Sequence, residues 1–307
     1  MRLSVIDIGT NTLLLLIADV ERDGTIIPLH HGHVIGRLGR GVDEHRTILP
    51  ETFMKILELL EDFAETSKRY GSNRVIACGT SALRDAGNAD EFVEFIKRKL
   101  GVEIRILTGN EEAELTYRGA VSEFLEGEKN SFFTVLDIGG GSTELTVGQG
   151  MNVLSKHSLD IGCVRLTERF LKTSPPSSLS MSQTLTAIRE RVSKIPSVSS
   201  NSRLIGVAGT VTTLAALDLN LPEYDPQKVS GHELTYEVIQ QTSSKLRIKT
   251  VEEMKAYPQI LPGRADVLLA GIVILLEVMS HLNIQAITAS DRGLRYGIAL
   301  EEARRIP

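Results

Sequence analysis

The chain contains no tryptophan, two cysteines and only 5% aromatic residues across 307 positions. Cys78 and Cys163 both lie in apolar surroundings, which excludes a disulfide scaffold and predicts a reducing, cytoplasmic setting. Neither sign of charge dominates. With 34 Lys+Arg against 39 Asp+Glu, the net charge of −5 gives no global attraction to nucleic acid or an anionic membrane. A polyanionic substrate must then be met by local arginines and backbone N–H groups. No export signal is visible, because the apolar run Leu13–Ala18 follows Asp7 and Asn11 rather than a basic segment. The longest apolar run near the C-terminus, Val267–Leu276, stops at Glu277, whereas a bilayer needs about 20 residues. The expectation is a soluble cytoplasmic protein with no membrane or nucleic-acid partner.

What is present suits a large folded core: 42% hydrophobic residues and only 10 prolines rule out disorder. The length predicts about two domains at roughly 150 residues each. LSVIDIG and LLLLIADV read as two strands around the polar turn TNT, and TIIPLHHGHVI as a third after the turn ERDG. Pro50 opens a helical pattern ending near Gly71, followed by strand RVIACG, helix DEFVEFIKRKLG, strand EIRIL and a helix from Asn110 to about Leu125. This alternation predicts an α/β domain. At FFTVLDIGGGSTELTVG the opening theme returns, with Asp137 lying 130 residues after Asp7. Such spacing predicts two halves on one plan. Helices are expected at Val164–Leu171, Leu179–Ile195, Thr235–Leu246, Asp266–Leu282 and Leu294–Arg304, and strands at RLIGVAG and QAITAS. KTSPPSSLSMS reads as a surface loop. The boundary is placed in GEKNS, giving domains 1–127 and 128–307, with the last helix able to pack back on the first.

The strongest local signal is Asp137-Ile-Gly-Gly-Gly-Ser-Thr-Glu144. Gly139, Gly140 and Gly141 remove every Cβ from the turn, so a phosphate can approach the main chain, and Ser142 adds a hydroxyl. Asp137 and Glu144, at the two ends, are placed to hold a cation or a water, since Mg²⁺ favours one or two carboxylates plus phosphate oxygens. Asp7-Ile-Gly-Thr-Asn-Thr12 is the matching turn: Asp7 is a third candidate metal group, and Thr10 and Asn11 are candidate phosphate donors. Gly206-Val-Ala-Gly-Thr-Val-Thr-Thr213 passes from strand to helix, with Gly209 and Thr210 as anion donors and Thr210 as the expected N-cap. In Gly109-Asn-Glu-Glu-Ala-Glu, composition alone does not choose among Glu111, Glu112 and Glu114, because acidic residues in a first helical turn are favourable dipole partners anyway. His30, His31 and His33 lack the further ligands of a tetrahedral site and read as a strand surface.

Two Asp-Gly hairpins and a Gly-Thr turn in duplicated halves resemble the actin, sugar-kinase and chaperone-ATPase superfamily. Within it the chain resembles the exopolyphosphatase / guanosine pentaphosphate phosphohydrolase family. The matching segments run nearly end to end: DIGTNT (7–12), RLGRGVD (37–43), GTSALRDAGN (79–88), GNEEAELTYRGA (109–120), DIGGGSTE (137–144), SLDIGCVRLTERF (158–170), GVAGTVTTLAAL (206–217), SGHELT (230–235), LPGRADVLLAG (261–271) and SDRGLRYGI (290–298). The chain resembles the short two-domain type. The resemblance implies two duplicated actin-like, ribonuclease H-like domains with an interdomain cleft. It implies Glu112 as general base and Arg84, in GTSALR, as a substrate-phosphate arginine. Where the family usually has Arg, this chain has Glu114. Arg37 and Arg40 are candidates to line the anion's path, while Arg264, Arg292 and Arg295 are read as packing or channel residues. The implied cofactor is Mg²⁺, with Mn²⁺ as substitute and K⁺ as stimulant, and the implied assembly is a homodimer.

The implied reaction is metal-assisted hydrolysis of the terminal phosphoanhydride of inorganic polyphosphate, with guanosine pentaphosphate as the alternative substrate. A sugar-kinase-type phosphotransferase would need a substrate-hydroxyl base in a sugar pocket. A nucleotide-driven switch would need filament or peptide-binding surfaces, for which 307 residues leave no added domain.

Overall fold

The computed structural model describes residues 1–198, 201–261 and 263–305, so Pro262 of the LPGRADVLLAG segment lies outside the described residues. The chain forms two compact units. The first comprises Met1–Gly119 and Leu294–Pro307, the second Ala120–Gly293.

In the first unit, β1 (Arg2–Ile8), β2 (Thr12–Val20), β3 (Ile26–Ile35), β4 (Arg74–Gly79) and β5 (Ile104–Ile106) form one sheet in the order β3-β2-β1-β4-β5. β1 runs antiparallel to β2 and parallel to β4. The continuous apolar reading of β1 and β2 has a direct cause: both faces of the sheet are covered. Ile6, Ile8, Leu13, Leu15 and Ile17 enter one core. That core is closed by α2 (Pro50–Arg69) and α4 (Ala89–Leu100), with the short α1 (Val42–His45) and α3 (Ser81–Asp85) beside them. Leu3, Val5, Leu16, Ala18 and Val20 enter a second core with Leu115 of α5 (Gly109–Val121) and Leu294 and Ile298 of α13 (Leu294–Ala303). Side chains alternate along a strand, so Asp7 shares the parity of Leu3 and Val5 and belongs to the face covered by α5 and α13.

The second unit repeats the plan. β6 (Phe132–Ile138), β7 (Thr143–Gln149), β8 (Asn152–Leu159), β9 (Arg203–Val207) and β11 (Ala286–Ala289) stand in the equivalent order, with β10 (Glu233–Thr235) added at the edge beyond β11. The hairpin register coincides at an offset of 130 residues: Ile8 opposes Leu13 and Ile138 opposes Thr143. Each half is therefore an actin-like, ribonuclease H-like α/β domain. The helices of this unit are α6 (Cys163–Phe170), α7 (Ser178–Val192), α8 (Ala208–Asp218), α9 (Pro226–Val229), α10 (Tyr236–Arg247), α11 (Val251–Lys255) and α12 (Ala265–Leu282). By length and composition alone α12 would cross a membrane, yet 67% of it is buried within the unit, where it anchors the core.

Three local readings change. The division falls at 119/120, inside α5, rather than at 127/128. Residues 128–131 side with the second unit: Ser131 and Asn130 carbonyls accept from Gly150 N at 3.0 Å and Gln149 Nε2 at 2.9 Å. The last five residues of the KTSPPSSLSMS segment, Ser178–Ser182, are helical, because Ser177 caps α7 by accepting from Ser180 N at 3.1 Å. Strand β8 escaped the sequence reading, since NVLSKHSL is an edge strand with few apolar residues.

Where α13 crosses α5, Gly297 lies so close that a Cβ there would stand 1.8 Å from Leu115 O. Gly297→Ala is therefore expected to destabilise the protein by about 1–3 kcal/mol or more, read as a lower urea midpoint at unchanged m-value.

Candidate active site

The two hairpin turns are built alike. Gly9 N donates to Thr12 O and Gly139 N to Ser142 O, each at 3.0 Å. In the first turn the carbonyls face inward: Thr10 O accepts from Gly39 N at 2.8 Å and Asn11 O from Arg37 N at 2.9 Å. The RLGRG segment is thereby pinned under the turn, with Arg37 held in left-handed backbone (φ 57), a strain that surrounding structure must stabilise. The Thr10 N–H has no partner among the described residues. Arg40 is exposed.

In the second turn the first turn of α6 takes over that role. Cys163 N donates to Gly139 O at 2.9 Å, Val164 N to Gly140 O at 2.9 Å, and Arg165 Nε to Gly141 O at 2.7 Å. A Cβ on Gly162 would stand 2.3 Å from Gly140 O, so only glycine lets α6 approach this closely. With the carbonyls consumed, the N–H groups of Gly140, Gly141 and Ser142 donate to no group among the described residues. They remain as anion donors. Asp137 and Glu144 oppose one another directly across the hairpin. Glu144 is buried, and its Oε1 accepts from Ser158 Oγ at 2.8 Å. The position matching Glu144 in the first unit is Leu14, which opposes Asp7.

Asp7 instead meets α5. Its Oδ1 is buried without a hydrogen-bond partner. Burial, with the Glu112 charge second, pushes its carboxyl up to about 7 against the pull of Arg295. Arg295 is itself buried and donates to Leu15 O at 3.1 Å. The three glutamates of α5, equivalent by sequence, are distinct in space. Glu111 forms a capping box with Thr108: Thr108 N donates to Glu111 Oε2 at 2.8 Å, and Glu111 N to Thr108 Oγ1 at 3.2 Å. Glu111 also pairs with Arg105 at 2.6 Å, and these bonds hold its carboxyl down to about 2. Glu114 pairs with Arg118 at 2.8 Å. Glu112 alone of the three is buried; desolvation raises its carboxyl above the usual range, opposed by the Arg84 guanidinium it contacts. Arg84, expected at a substrate phosphate, is engaged by Glu112 Oε2 and by Leu107 O at 3.0 Å.

At the third turn, Thr210 is not the N-cap. β9 passes into α8 without a linker, so Val207 takes that position and Ala208 adopts left-handed backbone (φ 63). Thr210 lies buried in the first turn. The Arg264 guanidinium fills the space a side chain on Gly209 would need and donates to Thr213 Oγ1 at 3.3 Å. Sequence reasoning had set Arg264 aside; its one signal was a glycine-proline context ahead of an apolar helix. His30 stacks against Tyr70 at 5.1 Å and His31 faces Tyr296 at 6.3 Å. Cys163 is buried, which pushes its thiol up to about 11.

Residues 16–306 match the Ppx/GppA phosphatase family. The chain belongs to it. Exopolyphosphatase 2 of Mycobacterium tuberculosis is 35% identical over 98% of this chain and 98% of that protein. The solved structure of the Aquifex aeolicus Ppx/GppA family member superposes with a TM-score of 0.83 at 33% identity, covering 99% of this chain and 98% of that one. The guanosine-5'-triphosphate,3'-diphosphate pyrophosphatase of Vibrio campbellii is 27% identical over 97% of this chain but only 58% of its own length.

Among the described residues no group of three or more His, Cys, Asp and Glu side chains could hold a metal alone. A Mg²⁺ ion that kept waters and substrate phosphates in its shell would need only one or two protein carboxylates. Asp137 and Glu144, opposed across one hairpin of the second unit, are the carboxylates that would hold such an ion.

Asp7 also makes a pH prediction. Its folded-state value, about 7, lies above the ordinary 3.8. The folded state therefore retains a proton that the unfolded state has released, and stability falls as pH rises between those values. Asp7→Asn removes that titration. Measured in chelator-containing buffer, its stability advantage over wild type should grow from about pH 4 to about pH 7, by at most about 4 kcal/mol at roughly 1.4 kcal/mol per unit, and stay level above.

Proposed function

We propose that this phosphoanhydride hydrolase removes the terminal phosphate of inorganic polyphosphate, with Glu112 as general base. The burial of Glu112 carries the reading. Desolvation raises its affinity for a proton, as a base working near neutrality requires, whereas Glu111 and Glu114 are committed to Thr108, Arg105 and Arg118. Water attacks the terminal phosphorus in line and its proton passes to Glu112. The bond to the bridging oxygen breaks, and the shortened chain leaves with that electron pair. In the first unit the Thr10 N–H is a donor suited to a phosphate oxygen, and in the second unit the N–H groups of Gly140, Gly141 and Ser142 are donors of the same kind. A divalent cation on Asp137 and Glu144, when bound, supplies neutralisation of the phosphate charge. Polyphosphate is the first reading because the chain is 35% identical to exopolyphosphatase 2 and 27% identical to the guanosine pyrophosphatase relative. Guanosine pentaphosphate ends in the same anhydride and is the second reading.

Purified protein with Mg²⁺ is expected to release phosphate from polyphosphate at a higher kcat/KM than from guanosine pentaphosphate; the reverse ranking would exchange the two readings. Glu112→Gln should lower kcat by about 10²–10⁴-fold while polyphosphate still binds. Glu111→Gln should keep near wild-type kcat and lose at most about 1 kcal/mol of stability with its Arg105 ion pair, since Gln can still close the capping box. A dead Glu111→Gln enzyme would move the base to Glu111.

A further inference from the structure

We infer that Arg84 is a positioning residue that latches Glu112 in the free enzyme and is drawn off by the incoming phosphate, freeing Glu112 as the base. The inference rests on the reading of Glu112 given above. A single nitrogen, Arg84 Nη1, donates both to Glu112 Oε2 and to Leu107 O. The guanidinium thus spans two strand-to-helix junctions, β4–α3 and β5–α5. These junctions are tied together by Leu107 N, which donates to Gly79 O at 2.9 Å. Its Nε and Nη2 have no partner among the described residues, and a guanidinium carries five N–H donors. The side chain of Arg84 is the more open of the pair, at 21% exposure against 10% for Glu112, so an anion meets the guanidinium first. A phosphate offers the forked geometry that Arg prefers and more charge than the carboxylate it displaces.

The surroundings give the exchange its consequence. Glu112 is faced by Arg84 from α3 and by Asp7 from β1; Asp7 in turn is faced by Arg295 from α13 and Cys78 from β4. In the free unit the Arg84 guanidinium is the cation that favours the charged form of Glu112. Once phosphate takes Arg84, Glu112 is left in a desolvated site beside Asp7, and both influences favour proton uptake. With substrate bound, the proton comes from the attacking water. With product phosphate bound, it comes from solvent.

Calorimetric titration with inorganic phosphate, which cannot be hydrolysed further, reads this directly in buffers of different ionisation enthalpy. Wild type should take up more protons per phosphate than Glu112→Gln; equal uptake, or none, overturns the latch. The pH profile of kcat/KM supplies a second readout. In Arg84→Gln the acidic limb should move up by about one to three pH units, the effect of removing an opposite charge next to a carboxylate, while Arg84→Lys stays nearer wild type. A raised KM with an unmoved limb would make Arg84 a phosphate ligand only and overturn the latch. The calorimetric arm needs no Arg84 variant, so a variant that fails to fold does not block the test. If wild type shows phosphate-linked uptake but no polyphosphate hydrolysis, the functional reading fails and the latch stands.

Discussion

The molecule depends on strands that are buried on both faces. β1 and β2 are covered by α2 and α4 on one side and by α5 and α13 on the other, so residues along them are sorted by parity into two cores. Charged groups on β1 and β2 lie only near the strand ends, at Arg2, Asp7 and Asp19, whereas buried Ser4 within β1 is paired with Ser72. Asp7 and Asp137 sit at those ends, each two residues before a turn glycine. Placement of the two hairpin aspartates is therefore a by-product of how the sheet must be buried. The same constraint raises the carboxyl of Asp7 and leaves one of its oxygens without a partner.

Duplication has kept the backbone and divided the chemistry. Both hairpins close with the same 3.0 Å hydrogen bond and both hide their turn carbonyls, one under the 37–39 loop and one under α6. The side chains differ at a decisive point. Glu144 opposes Asp137, giving paired carboxylates beside free N–H groups, whereas Leu14 opposes Asp7. The first unit instead sets its aspartate against Glu112 and Arg295, with Arg84 on the far partner, Glu112. One copy thus concentrates carboxylates suited to a cation, and the other an array suited to moving a proton.

Much of this was legible in the sequence because the signals are local. The Asp-Ile-Gly turns, their 130-residue offset and the strand-helix alternation all follow from patterns within a few residues, and the duplicated sheet order follows from them. What escaped depends on distant partners. Spacing rules pair Glu111 with Thr108 and Glu114 with Arg118, but not Glu111 with Arg105 or Glu112 with Arg84, 28 residues away. Arg84 was read for its affinity for phosphate, yet its nearest anion is a protein carboxylate. Arg264 could not be matched to Gly209 from positions 55 residues apart. The domain boundary was misplaced because α5 runs through it without any break in its helical pattern.

The return of α13 to the first unit has a consequence for the order in which the protein is made. Leu294, Ile298 and Ala299 complete the core that also holds Leu3, Val5 and Leu16. Residues 1–119 therefore wait for residues synthesised well after them, while the second unit is continuous in the chain. Domains ordinarily fold N-terminal first as they leave the ribosome. Here that order is inverted: the second unit can close before α13 has emerged, and the first must hold two apolar strands half covered until it does.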